Sequence, residues 1–277
     1  MKKFFTLACL LGSLLAVSQE TAEPVSFVKL HKKGSFFIFY GGNKDKFSKS
    51  DIRFWGNGYD FTLDNVDAHD KYKGFSIDYL NPSRITIPQT NYRIGYYLTD
   101  KYVISIGLDH MKYVMTQFQT ADMTGYITGH APFNGTYNHS PEQMTMEFLQ
   151  FEHTDGLNYI NLEGERHDPI SEYLGLSAEY IQVNTIVGAG GGILLPKTNT
   201  TLMGQERHDK FHLSGYGMAA KVGLNLTFFK HFFVQSELKG GYINMPDVRT
   251  TFDSSDHASH HFTFRQTNLV FGGVFKV

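Results

Sequence analysis

Six times in this sequence an acidic residue stands beside a histidine: His69-Asp70, Asp109-His110, Glu152-His153, His167-Asp168, His208-Asp209 and Asp256-His257. A carboxylate next to an imidazole is the material of general-base chemistry, the acid orienting the ring and the ring accepting a proton. The most enzyme-like run is Glu152-His153-Thr154-Asp155-Gly156. There His153 is the candidate base, with Asp155 or Asp109 to orient it, and the reaction would be acyl transfer or lipid hydrolysis. Such a reaction also needs a nucleophile beside the base. Ser105 and Ser177 both read as small packed residues, so no serine stands out for that role. The run reads first as an Asp- and Gly-rich turn. On a strand, adjacent side chains point to opposite faces, which separates most of the six pairs. Thirteen histidines are many, and His257, His260 and His261 lie close together. A metal needs three or four ligands converging at about 2 Å, and no recognised ligand spacing is present. No metal and no cofactor are expected.

A second set of residues is defined by its place in an alternating pattern. In Asn91–Met115, Tyr92, Ile94, Tyr96 and Leu98 share one face, with Asn91, Arg93, Gly95 and Tyr97 on the other. After Thr99-Asp100, a turn-favouring pair, Tyr102, Ile104, Ile106 and Leu108 alternate with Ser105, Gly107 and Asp109. Period two belongs to strands whose faces meet different surroundings. His212–Met245 repeats the design about Phe229-Lys230-His231: Tyr216, Met218, Ala220, Val222, Leu224 and Leu226 oppose Lys221 and Asn225, then Val234, Leu238 and Tyr242 oppose Glu237 and Lys239. Arg93, Asp109, Glu179, Lys221, Glu237 and Lys239 therefore belong to the face opposite the greasy one. In a membrane barrel that face lines the lumen, because a charge facing lipid at mid-depth costs about 2–4 kcal/mol. Buried charges must also pair, since desolvation is expensive. These six residues are the candidate lumen charge network.

The environment follows from the whole chain. It has 277 residues with Phe 24, Tyr 16 and Gly 27, and a formal charge of −2, which offers no basic field for nucleic acid. Many aromatics without any long apolar run is what alternating membrane strands produce, their two faces cancelling in a window average. Residues 1–18 read as a secretory signal: Lys2 and Lys3, an apolar stretch from Phe4 to Leu15, and small residues Ala16-Val17-Ser18. The single cysteine, Cys9, falls inside it. Residues 19–34 form a polar periplasmic lead-in, and 35–277 form one domain without repeats.

Along that domain, Ser35–Tyr40 is the first strand, Lys44–Ser50 a loop, and Asp51–Asp67 a hairpin about Gly56-Asn57-Gly58. Asn81-Pro82 marks a break. Thr116–Glu142 loses its alternation and reads as a long loop. Residues 143–153 and 157–165 read as two strands about Thr154-Asp155-Gly156, and 172–183 as another strand. The glycines at 188–192 lack the context of a phosphate loop and suit a bending strand. Further polar loops follow at 197–210 and 246–260, then a last strand at 261–277. Tight connections at one end and long ones at the other match the short periplasmic turns and long extracellular loops of outer-membrane barrels. The count comes to about twelve strands, with ten possible, and both termini in the periplasm.

Leu269, Phe271, Gly273, Phe275 and Val277 alternate to the carboxyl end. This resembles the terminal strand signal of Gram-negative outer-membrane barrels, with Phe275 two residues short of the end where the family carries an aromatic. With the signal segment, the chain resembles uncharacterised Bacteroidetes-type outer-membrane β-barrel proteins. That resemblance implies an all-β fold, a single transmembrane antiparallel β-barrel in the outer membrane of a Gram-negative bacterium. It also implies contact with outer-membrane lipid and lipopolysaccharide, and handling by the barrel assembly machinery. The role expected is structural, or a narrow passive pore for a small solute. The alternatives are a lipid-modifying hydrolase or acyltransferase using rim His and Asp residues, and a soluble secreted β-sandwich with the greasy faces packed inside.

Overall fold

Each long alternating run becomes a strand with a partner on either side. The computed structural model describes residues 32–72, 74, 89–177, 179–205 and 207–276. The expected signal segment, Asn81-Pro82 and nearly all of the lead-in lie outside the described residues. Among those described are fourteen strands: β1 (Ser35–Phe47), β2 (Ser50–Gly56), β3 (Tyr59–Val66), β4 (Ala68–Asp70), β5 (Thr90–Tyr97), β6 (Tyr102–Met115), β7 (Thr120–Ile127), β8 (Gly135–Gln143), β9 (Leu149–Pro169), β10 (Ile181–Leu194), β11 (Asn199–Leu202), β12 (Gly215–Phe228), β13 (Phe232–Arg249) and β14 (His257–Lys276). All pair antiparallel.

Eight of them close a ring in the order β1-β5-β6-β9-β10-β12-β13-β14, and β14 pairs back onto β1 from Phe47↔Phe264 to Ser35↔Lys276. The ring has a defined stagger. Followed one way, Gly41 pairs through Asn91, Asp109, Tyr159 and Leu194 to Gly215. Followed the other way, it pairs through Val270 and Gln235 to Asn225, ten residues further along β12. With about 3.3 Å per residue and about 4.8 Å between strands, that stagger tilts the strands about 40° from the ring axis.

The tight connections β5–β6 and β12–β13, and the eleven-residue connection β9–β10, lie at the end that holds Ser35 and Lys276. At the other end the connections that follow β1, β6 and β10 carry extra strands. There β2 pairs with the first residues of β14, and the sheet runs on through β3, β7 and β8. β4 adds to the end of β6, and β11 to the start of β9.

The count of about twelve strands is corrected by this pairing. Eight strands close the ring, and the others extend the sheet beyond it, because the alternation that marks a strand does not tell a ring strand from an extension. The expected loop 116–142 contains β7 and most of β8, and Lys44–Phe47 continues β1. The two strands expected at 143–153 and 157–165 are the single strand β9. Thr154-Asp155-Gly156 is a bulge within it, marked by a register shift against Met111 and Tyr113 and a positive φ of 130° at Gly156. The strand expected at 172–183 begins only at Ile181; Glu172–Leu174 is a 3-10 turn ended by Gly175 in the left-handed region.

The greasy side chains point outward. Ile104, Ile106, Leu224 and Leu226 are 42%, 57%, 53% and 39% exposed, so they are not packed between two sheets, which removes the β-sandwich reading. With Ile94, Leu162, Val187, Leu238 and Phe271 they form a belt far larger than the apolar patches of a water-soluble surface. On β13 the outward run from Phe232 to Tyr242 spans about 25 Å of height at the tilt above, the height of a lipid-facing band.

Candidate functional site

Inside the ring the same alternation gathers the polar residues into one layer. Arg93 on β5, Asp109 on β6, Glu163 and Glu165 on β9, Lys221 on β12, and Glu237 and Lys239 on β13 are all buried. Lys239 Nζ donates to Asp109 Oδ2 at 2.6 Å and lies 2.7 Å from Glu163 Oε1. Lys221 Nζ sits 2.8 Å from Glu237, 2.9 Å from Glu163 and 3.4 Å from Glu165. The Arg93 guanidinium donates to Glu163 at 3.0 Å, to Asn161 Oδ1 and to Ser105 Oγ. Gly107 leaves the space for it: a Cβ there would lie 2.7 Å from the Arg93 Cζ. Amides complete the layer, with Asn91 donating to Asp109 at 2.7 Å and Asn268 to Glu237 at 3.0 Å. Among the described residues, three cations thus face four carboxylates, and each carboxylate has a charged or amide donor. A buried ionic group is tolerated when it is paired and hydrogen-bonded in this way.

Clusters of apolar residues flank this layer on both sides. At the short-turn end, Phe37, Phe39, Tyr97, Val103, Phe233, Val270 and Val274 pack inside the ring beside a buried chain of amides in which Gln235 donates to Glu237, Asn225 to Gln235 and Asn184 to Asn225. Phe37 meets Phe233 and Tyr97 edge-on at 6.1 and 5.8 Å. The two layers are linked by a relay in which the Tyr97 hydroxyl donates to His167 Nδ1 at 3.1 Å and His167 Nε2–H donates to Glu165 at 3.0 Å. At the long-loop end, Met111, Tyr113, Phe151, Leu157, Tyr159, Ile243, Met245 and Phe262 continue into a core shared with Phe54, Phe61 and Leu63 of β2 and β3.

Five of the six residues assigned to the lumen by alternation, Arg93, Asp109, Lys221, Glu237 and Lys239, meet in this layer. Glu179 does not. It is exposed in the turn before β10, since the segment before Ile181 is a turn rather than a strand. Glu163 and Glu165, central to the layer, were absent from the assignment. They share a face with Asn161 opposite Ile160 and Leu162, which was the available signal; Gly164 and Arg166 on the outer face blurred it.

The enzyme-like run does not assemble. His153 is buried in the long-loop core, with its Nδ1 2.9 Å from the Thr198 hydroxyl and its Nε2 3.4 Å from His260 Nε2. Asp155 points outward to Lys197 at 3.2 Å, and Asp109 belongs to the ionic layer. Burial holds the His153 imidazole at a pKa of about 3, so it is neutral at ordinary pH. Among the described residues no group of three or more His, Cys, Asp or Glu side chains is placed to hold a metal.

No family model matches the sequence, and no curated protein matches it. Solved structures similar to it include the outer membrane protein OprG from Pseudomonas aeruginosa, with 11% identity, 89% of this chain and 98% of that chain covered, and a TM-score of 0.43. Neisserial surface protein A shares 9% identity over 88% of this chain and 100% of its own, with a TM-score of 0.34. The attachment invasion locus protein Ail of Yersinia pestis shares 10% over 88% and 99%, with a TM-score of 0.31. Nothing in these likenesses is specific to the Bacteroidetes, and at this distance they assign no role to the chain.

Proposed function

We propose that the protein is a non-conducting outer-membrane β-barrel that anchors a folded β-sheet assembly at the membrane surface. The observation that carries this reading is the filled interior. An eight-stranded barrel is just wide enough for side chains to fill, and here an ionic layer is flanked by packed aromatic and aliphatic residues and, toward the short turns, by hydrogen-bonded buried amides. The outward belt supports lipid as the surroundings, and the strand end at Phe271–Phe275 supports handling by the barrel assembly machinery. On this reading the short turns and both described chain ends face the periplasm, and β2, β3, β7 and β8 face outward from the cell. The role lies in the displayed assembly rather than in passage of a small solute or in catalysis by His153.

Planar-bilayer recording tests this. The purified protein inserts without discrete conductance steps, while removal of the ionic layer by combined Arg93→Ala, Glu163→Ala and Lys239→Ala substitutions opens a measurable leak. Stable ohmic steps from the unaltered protein would restore the pore reading.

A further inference from the structure

Above the apolar belt, on one side of the ring, β14, β1 and β6 each carry a cation at an outward position. On β1 the last apolar outward residue is Tyr40, and four residues on stands Lys44. On β6 Leu108 is followed four residues on by Lys112, and on β14 Leu269 is preceded by Arg265 at the same interval. Four residues along a strand tilted as above rise about 10 Å, from the edge of the hydrocarbon to the depth of lipid headgroups.

The cations crowd each other. Lys46 and Arg265 are directly opposed in the β1–β14 register, both side chains are exposed on the outer wall, and Lys44 is one diagonal step away. Like charges placed directly opposite across strands are destabilising. Neither Lys46 nor Arg265 has an ion-pair partner among the described residues. At the other rim Arg166 and Lys101 lie 2.7 and 3.1 Å from Asp168.

Beneath and beside the cations is a surface for an amphiphile. The Tyr40 and Tyr92 rings lie against each other at 4.9 Å at the top of the belt. Next to them the bulge at 154–156 opens a cleft of about 880 Å³ on the outer wall. Its lower side is Tyr92, Leu108 and Ile160, continuous with the belt; Lys112 and Lys210 stand on its upper side, with Lys197 held between Asp155 and Asp209 at 3.2 Å from each. His110, also in its lining, has Nδ1 fixed 2.8 Å from Asn158 Oδ1, while its buried Nε2 has no partner. A buried ring nitrogen without a partner is where a donor from a bound molecule is expected.

We infer that this arc is a binding site for a phosphorylated membrane lipid. Its phosphates bridge Lys44, Lys46 and Arg265, its acyl chains lie on Tyr40, Tyr92, Leu108 and Ile160, and its polar headgroup enters the cleft beside Lys112. The inference rests on the barrel reading and adds a ligand class to it.

The test uses the detergent-solubilised protein with lipid A as probe, its bis-dephosphorylated form as control, and native mass spectrometry to read retention. The phosphorylated lipid is retained about tenfold more tightly, a difference of about 1.4 kcal/mol. Lys46→Ala with Arg265→Ala removes that difference, and inorganic phosphate in large excess does not displace the lipid. Without lipid the same variant unfolds no more easily than the parent, because it relieves a repulsion. Equal retention of both lipids, retention unaltered in the variant, or displacement by inorganic phosphate would each overturn the inference. Heat-modifiable migration is followed in the same samples. A failed lipid step with that shift intact overturns this inference alone; absence of the shift overturns the barrel reading and this inference with it.

Discussion

Lys239 and Asp109, 130 residues apart in the chain, meet 2.6 Å apart inside the ring, each with a side chain about 1–2% exposed. The pair joins β13 to β6 across the interior, and Glu163 binds the same ammonium group at 2.7 Å. It is a tertiary contact that only closure of the ring creates, so it reports on the whole architecture.

Breaking that pair from one side leaves a buried charge without its partner, which costs about 3–5 kcal/mol, whereas replacing both partners by apolar residues of similar size is often neutral. Lys239→Met alone is therefore expected to be strongly destabilising and Asp109→Leu alone likewise. The double variant should recover a large part of the loss. Urea unfolding of the protein refolded into lipid vesicles, analysed as a double-mutant cycle, measures the coupling; additive losses would mean that the two residues do not act as a pair.

Acid should weaken the long-loop core, which lies beyond the lipid belt. Burial holds the His153 imidazole at a pKa of about 3, and His260, packed against it, is pushed well below its ordinary value by burial and by His153. A histidine whose folded pKa is depressed binds protons more readily in the unfolded chain, so between about pH 6.5 and 3 stability falls as pH falls, by up to about 1.4 kcal/mol per pH unit for each such group. His153→Phe should flatten that slope. Unfolding midpoints of the parent and variant at pH 7 and pH 4.5 give the comparison, and parallel losses in the two would contradict the assignment.

The ring was legible in the sequence because its strands separate two solvents. Tyr92, Ile94 and Tyr96 against Arg93, or Val222, Leu224 and Leu226 against Lys221, carry a period of two that has no other simple origin. What failed was legible only in three dimensions. In β8 both faces are largely open to solvent, so no alternation marks it. The bulge at Gly156 looks like a turn in sequence because Asp and Gly serve both purposes. Glu179 sits in a stretch whose residues alternate by chance, interrupted by a left-handed Gly175 that a strand would not hold. Five of the seven charges of the ionic layer were readable from alternation, whereas Glu163 and Glu165 share their strand with Gly164 and Arg166, which are poor markers of a lipid face.

Asp247 fastens the long connection between β10 and β12 to the rim. It accepts from His212 Nε2 at 2.9 Å and His257 Nδ1 at 2.5 Å. Burial opposes its ionisation, but those two bonds outweigh burial and hold its carboxyl below the usual aspartate value. The stabilisation it gives is present above the unfolded pKa and is lost as pH falls through the lowered one. Because the group is well exposed, Asp247→Ala should cost no more than about 1 kcal/mol in global stability. Its effect should show locally, as faster tryptic cleavage at Lys197, Arg207 or Lys210. Unchanged cleavage kinetics would deny Asp247 that fastening role.

The central claim is that one face of each ring strand meets acyl chains while the other is enclosed. Spin labels on single introduced cysteines report this directly, since the chain's single cysteine, Cys9, falls in the expected signal segment. In lipid vesicles, labels at Ile106, Leu224 and Leu238 should collide readily with oxygen and be shielded from a water-soluble nickel chelate, while labels at the neighbouring Ser105 and Gly223 should be shielded from both. Ready collision of the first three with the nickel chelate, or of the second two with oxygen, would contradict the account.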